Sequence, residues 1–359
     1  MIPFLVFLGF VLVAETGTST SDDDDTVPTP PEPDPEIVPI PVNDADTVAG
    51  TDGDDVFVPA EGTTAFNTVA IDGGAGNDTF NLTDPSGDDP SFDFIFQTPT
   101  IAGGEGDDTI DITASGGTID GGAGDDAINV NIGDNTTVLG GEGNDTISGL
   151  QFASDGITIE GGAGDDFIDA RNMENVQANG GEGDDTILVS DFNQPGAGYV
   201  SRADGGAGED LLRFEGSASQ IGELTAQTMF GGEGTDRFEI AFDEGEGAIE
   251  DETLLAEVGR FEQEVVNIGD FEPGVETIVL DPNIANEGFT ITQGSLTEDA
   301  EAGTTTMVIR YESDTAATRD LVFVIGATGV DWDDISFIDN APETLFLNGV
   351  EVTEAPAVA

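Results

Sequence analysis

Apolar residues in the middle of this chain keep a fixed place around a nine-residue phrase. Its clearest copy runs Gly103-Gly104-Glu105-Gly106-Asp107-Asp108-Thr109-Ile110-Asp111. Eight more copies begin at Gly50, Gly73, Gly121, Gly140, Gly161, Gly180, Gly205 and Gly231. Each reads Gly-Gly-x-Gly-x-Asp-x-apolar-x, with Thr51 in place of the second Gly of the first copy. The eighth position is Phe57, Phe80, Ile110, Ile128, Ile147, Ile168, Ile187, Leu212 and Phe238. Two residues ahead of the phrase stand Val48, Ile71, Ile101, Ile119, Val138, Ile159, Ala178, Ala203 and Met229. Side chains alternate faces along a strand, so both columns can point inward.

The pattern predicts an all-β fold, a parallel β-roll or β-solenoid, over residues 44–240. Each coil holds two short strands and two turns, with the phrase at one turn. The other turn is degenerate, at 114–117, 133–135 and 153–156, and insertions at 84–96 and 191–199 should bulge from that side. One coil cannot bury its own apolar column, so stability must come from stacking coil on coil.

The flanks read differently. Residues 1–15 contain an apolar run from Ile2 to Ala14. A bilayer-spanning helix needs about 20 residues, so this run suits an export or membrane-targeting segment, with a short uncleaved anchor as the alternative. Residues 16–43 combine Asp22 to Asp25 with recurrent Pro, the composition of a disordered, semi-extended linker. Residues 241–264 are expected to form an acidic loop with a short helix, because Leu254, Leu255, Val258 and Phe261 are spaced for one helical face. Strand patterns return at 276–280, 289–292, 305–311 and 321–325. Residues 265–349 therefore read as a β-rich domain capping the exposed end of the roll, followed by a loose tail over 350–359.

Charge narrows the chemistry. Against 75 acidic residues stand 7 basic ones, all Arg, for a net charge of −68, with no His and no Cys. Nucleic acid and anionic membranes would repel such a chain. Disulfides and thiolate metal sites are impossible. The commonest general bases and covalent nucleophiles are missing, an H-E-x-x-H motif cannot occur, and no G-x-S-x-G motif is present. The expectation is a protein that is not an enzyme. Its remaining donors are carboxylates, hydroxyls and backbone carbonyls, which are ligands for hard cations.

The phrase concentrates those donors. Three Gly in six residues allow tight backbone turns that expose carbonyls. The sixth position adds a carboxylate at the same edge: Asp55, Asp78, Asp108, Asp126, Asp145, Asp166, Asp185, Asp210 and Asp236. The fifth adds Asp54, Asn77, Asp107, Asp125, Asn144, Asp165, Asp184, Glu209 and Thr235. Stacked turns would line each gap with about six oxygens, which suits Ca²⁺ better than the smaller Mg²⁺. Carboxylates about 5 Å apart repel by on the order of 3 kcal/mol per neighbouring pair at an effective dielectric of 20. The roll is therefore expected to need several Ca²⁺ ions, up to one per gap between adjacent copies. The plainer alternative is a turn in which Asp only accepts backbone N–H groups.

This phrase resembles the RTX, or hemolysin-type calcium-binding, repeat. The resemblance covers Gly50 to Glu239. It implies ligands from the first six positions: backbone oxygens, including those of Gly103, Gly121, Gly140, Gly161 and Gly180, together with the sixth-position Asp. It further implies a secreted or surface-held bacterial protein, exported unfolded by type I secretion and folding on extracellular calcium. Residues 268–280 resemble the acidic tail that follows such repeats. Two features depart from the family pattern: the phrase occupies one edge of the roll rather than both, and an apolar segment precedes it. The expected role is structural or interactive, with calcium and a cell-surface polysaccharide or other extracellular molecule as partners. Alternatives are a carboxylate-based hydrolase or lyase carrying the repeats, and a glycan- or ice-binding adhesin. The adhesin would use the column Thr47, Thr100, Thr118, Thr137, Thr158 and Thr228, although Thr also simply suits exposed strands.

Overall fold

The computed structural model describes residues 39–43, 47–61, 69–83, 96–132, 135–149, 156–171, 173, 175–190, 201–217, 227–243, 260–281, 289–313, 318–338, 341–342 and 344–352. All of them lie in the compact unit Ile37–Ala359. The apolar segment, most of the linker, the insertions apart from the buried strand residue Phe96, and the first three apolar positions of the expected helix lie outside the described residues. Among the described residues there are strands and turns and no helix.

Each repeat contributes one strand to each of two sheets. In the third copy, Thr100–Glu105 enters one sheet, the turn of the phrase follows, and Thr109–Ser115 enters the other. Neighbouring coils pair in parallel throughout. The register aligns the two apolar columns. Ile101, Ile119, Val138, Ile159, Ala178, Ala203 and Met229 pair in succession in one sheet. Phe80, Ile110, Ile128, Ile147, Ile168, Ile187, Leu212 and Phe238 pair in the other. Every one of these side chains is buried. Phe57 and Phe80 stack at the start of the second column, with ring centroids 4.6 Å apart.

A further inner row lies two residues beyond the eighth position: Leu82, Ile112, Val130, Ala170, Val189, Phe214 and Ile240, all buried. The row is interrupted at Gly149. There the space a Cβ would take is filled by the methyl end of Met173, which arrives from the next coil. Outward-facing Thr100, Thr118, Thr137 and Thr158 are in register as expected for one sheet face. Their outward neighbours, two residues on, are Ala102, Asp120, Leu139 and Glu160, so the face has no uniform chemistry.

The sheets run past the repeats in both directions. Ile40–Val42 pairs with Val56–Pro59, so the first strand lies within the stretch expected as linker. Val42 is fully buried, and Pro41 is tolerated because this is an edge strand whose missing N–H costs no ladder bond. Beyond Glu239 two more coils extend both sheets. Arg260–Ile268 and Thr277–Asp281 form one, and Thr318–Ile325 and Ile335–Phe337 form the other. Phe261, expected on a helix, thus sits in a strand; sheet pairing overrides the helical spacing.

Between those coils the chain makes a hairpin of Phe289–Asp299 and Thr304–Ser313. Thr318–Ile325 pairs in parallel with Arg260–Ile268 on one side and antiparallel with Thr304–Ser313 on the other. It is the strand at which the parallel stack turns antiparallel. Thr344–Leu347 and Val350–Val352 complete that sheet, so the expected loose tail is ordered strand through Val352.

The inner and outer columns should respond differently to substitution. Ile159→Ala is expected to cost roughly 2–5 kcal/mol, the usual loss for truncating a buried Ile. Thr158→Val, one residue away on the outer face, should change stability by less than about 0.5 kcal/mol. Denaturant unfolding of both variants in calcium buffer measures the difference.

Candidate metal centre

All nine phrases form turns at the same edge, linking a strand of one sheet to a strand of the other. The Gly residues serve two purposes. Gly104 and Gly106 have φ of 123° and 121°, a region that L side chains avoid. The first Gly serves to leave space: a Cβ on Gly103 would collide with Asp108 Oδ2 and with the carbonyl oxygen of Gly121 in the next coil. The same triad recurs for Gly73 with Asp78 and Gly103, and for Gly121 with Asp126 and Gly140. It continues for Gly140 with Asp145 and Gly161, Gly161 with Asp166 and Gly180, Gly180 with Asp185 and Gly205, and Gly205 with Asp210 and Gly231. Eight gaps therefore hold a carboxylate oxygen and a backbone carbonyl converging beside a bare Cα, since Gly50 meets Asp55 and Gly73 in the same way.

The two oxygens of each sixth-position carboxylate differ. Oδ1 accepts the backbone N–H of the sixth residue in the preceding coil. These bonds run from Asp55 N to Asp78, then on through Asp108, Asp126, Asp145, Asp166, Asp185, Asp210 and Asp236, at 2.6–3.0 Å. Oδ2 of all eight acceptors is buried and has no hydrogen-bond partner. The plain turn chemistry thus accounts for Oδ1 alone and leaves Oδ2 unpaired. Each Asp side chain is 1–2% exposed. A buried, unpaired carboxylate oxygen costs several kcal/mol unless it is neutralised.

Fifth-position side chains stitch in the opposite direction. Asp54 accepts from Asn77 N, Asn77 from Asp107 N, Asp107 from Asp125 N, and so on to Asp184 and Glu209 N, at 2.7–3.1 Å. Only an acceptor oxygen is needed there, so Asn serves as well as Asp. The sequence reading takes this column as further oxygen donors to the gaps. The alternation of Asp and Asn was the available signal for its actual role.

Asp55 stands apart from the other eight sixth-position acids. Its Oδ2 accepts Thr51 N at 2.6 Å and Thr51 Oγ1 at 2.9 Å, so the residue that breaks the first phrase occupies the oxygen left free elsewhere. Among the described residues, no group of three or more acidic side chains is arranged around a common point. Beside the one carboxylate, the oxygen that converges in each of these gaps is a backbone carbonyl. An all-oxygen donor set with one unpaired charge fits a hard divalent cation, which can take several carbonyls in irregular geometry.

Burial, opposed by the N–H bond to Oδ1 and reinforced by neighbouring acids, raises the sixth-position pKa values in this metal-free arrangement. Asp108, Asp166 and Asp210 rise to about 6, and Asp126 and Asp185 to about 7. Asp78, Asp145 and Asp236 move in the same direction, again chiefly through burial.

Residues 42–62, 70–83, 100–111, 118–137, 134–151 and 154–172 match the family model described as RTX calcium-binding nonapeptide repeat (4 copies). No curated protein matches the chain. The copies at Gly180, Gly205 and Gly231 lie beyond the matched segments, yet they keep the same carboxylate stitching.

Raised carboxyl pKa values give a signed pH dependence. An unfolded Asp titrates near 3.9. The metal-free roll therefore holds protons that the unfolded chain releases between about pH 4 and 7. In excess chelator the strand signal in far-UV circular dichroism should be strongest near pH 4 and fall as pH rises through 6–7. A signal that instead grows over this range would contradict the assigned burial.

Proposed function

We propose that this chain, whose residues 42–172 carry RTX calcium-binding nonapeptide repeats, is a non-catalytic β-roll that folds on meeting extracellular calcium. The repeats bind calcium in a structural role. The observation that carries the further step is the file of eight buried Asp oxygens without partners. In seven gaps the ion would be held by Asp78, Asp108, Asp126, Asp145, Asp166, Asp185 or Asp210, with the carbonyl of the next coil's first Gly. Those carbonyls belong to Gly103, Gly121, Gly140, Gly161, Gly180, Gly205 and Gly231. Asp55 is left out because Thr51 already occupies its oxygen. Bound calcium supplies positive charge and completes the oxygen coordination; the chain supplies the pre-shaped gap.

Magnitudes support dependence on the ion. Stacked carboxylates repel by on the order of 3 kcal/mol per neighbouring pair, whereas folded domains are stable by only about 5–15 kcal/mol. In a cell interior with little free calcium, such a file stays unneutralised. Outside, calcium near millimolar fills sites of the roughly 0.1–1 mM affinity typical of extracellular modules. This supports a secreted or surface-held protein.

A calcium titration of the full chain followed by far-UV circular dichroism, with magnesium as control, tests the proposal. A cooperative gain of β signal in calcium alone is expected, and full β signal at pH 7.5 in excess chelator would overturn it. Asp145→Asn should raise the calcium midpoint several-fold, since charge-assisted contacts are worth about 1.5–3 kcal/mol. Asp55→Asn should leave the midpoint nearly unchanged.

A further inference from the structure

The row of unpartnered oxygens ends at Asp236, and its surroundings differ from those of the seven gaps before it. Arg237 pairs with Thr277 and Phe238 with Ile278, so Glu276 stands in the sixth position of the following coil. That coil lacks the phrase: its turn reads Gly269-Asp270-Phe271-Glu272-Pro273-Gly274-Val275-Glu276. Asp270 takes the place of the first Gly. Its carboxylate accepts Gly231 N and Gly232 N, each at 3.0 Å. The three atoms nearest to a Cβ on Gly231 all belong to Asp236, whereas in every earlier gap a carbonyl oxygen of the next coil is among the nearest three. The backbone carbonyl that closes on the carboxylate in every earlier gap does not come as near here.

A second carboxylate stands in its stead. Glu276 is 3% exposed, and its Oε2 accepts Glu272 N at 2.9 Å. The register sets it beside Asp236 in the adjoining coil, where the two carboxyl groups interact; Asp236 Oδ1 is engaged by Asp210 N, and its buried Oδ2 accepts no N–H. Asp270 and Glu272 add their charge to both groups. The nearest Arg in the sequence, Arg237, is committed to Glu239. Two ionised carboxylates have no hydrogen to share, and their mutual repulsion in a buried place is large.

We propose that Asp236 and Glu276 form a terminal divalent-cation site, built from two carboxylates rather than one carboxylate and glycine carbonyls. It rests on the calcium reading of the repeats and extends it to a coil that has no repeat. With two anionic ligands and two further acids nearby, the terminal site holds calcium more tightly than the repeat gaps, since affinity follows ligand charge. It ties the last phrase to the coil of Arg260–Ile268 and Thr277–Asp281, and so couples the repeats to the C-terminal strands.

Native mass spectrometry of the full chain in calcium distinguishes the possibilities. Glu276→Gln should carry one ion fewer than the wild type and should lose the ion that resists chelator longest. Asp145→Asn should also carry one fewer but keep that resistant ion. Glu276→Asp, retaining the charge, should keep the full count and guards against a variant that merely misfolds. A wild-type chain without calcium would overturn the reading of the repeats. A wild type and Asp145→Asn that behave as stated, with an unchanged ion count in Glu276→Gln, would overturn the terminal site alone, leaving the pair joined by a shared proton.

Discussion

Each coil places one carboxylate directly above the last, with one oxygen tied to the coil below and one oxygen left unpaired. That constraint organises the molecule. The tied oxygen fixes the vertical spacing and register of the turns. Eight charge-assisted bonds of this kind favour the stack by about 1.5–3 kcal/mol each at the group level. They also force like charges into single file, which opposes the same stack. The turn is therefore built to bring together groups that cannot stay ionised together without a cation. The first Gly of each phrase keeps the file open, because any side chain there would occupy the space between carboxylate and carbonyl.

This explains why the two edges of the roll look so different. On the phrase edge the fifth and sixth N–H groups of the central turns reach an acidic or amide side chain and the fourth a backbone carbonyl of the next coil, and residue spacing there is invariant. The opposite edge is free to vary, since the steps between copies range from 18 to 30 residues. Its turns are satisfied case by case. Thr136 Oγ1 accepts Gly116 N, and Gln227 Oε1 accepts Ser201 N at 2.6 Å. Thr136 and Gln227 sit at inward positions that other coils give to Ile157 and Val176, and all four are buried. One edge carries a fixed electrostatic geometry; the other absorbs insertions at little cost, as long loops do.

Much of this was readable before the structure, because a repeat states its neighbours. A residue at a fixed place in every copy must stack on its equivalents, so the two apolar columns and the file of acids followed from spacing alone. Features that depend on partners outside the repeat did not. Thr51 read as a lapse from the phrase, whereas it caps Asp55. The third inner row was missed because Gly149 interrupts it, and only the fold brings Met173 to that gap. Beyond Glu239 the strands at Thr277–Asp281, Phe289–Asp299, Thr304–Ser313 and Thr318–Ile325 were recognisable from local pattern, whereas the start of Arg260–Ile268 reads as loop and helix. Their pairing was not recognisable, since Thr318–Ile325 finds Arg260–Ile268 across an intervening hairpin. Phe261 shows the limit of periodicity: four apolar residues at helical spacing carry little weight against a sheet edge in need of a strand.

The C-terminal coils show how the roll leaves its electrostatic regime. At Asp236 a carboxylate replaces the glycine carbonyl as the second donor. Two coils beyond Asp236, Asp334 has both oxygens engaged by backbone, Oδ1 by Gly274 N at 2.7 Å and Oδ2 by Asp331 N at 2.9 Å. No unpaired oxygen remains to pass on. Thr318–Ile325, in that same coil, accepts an antiparallel neighbour where the parallel stack would otherwise continue. The end of the acid file and the change in strand direction thus coincide. A coil whose turn needs no cation can stand next to strands that have no turn of this kind at all. On the proposed calcium reading, the series from Asp210 through Asp236 to Asp334 is a graded exit from dependence on bound charge to ordinary hydrogen-bonded sheet.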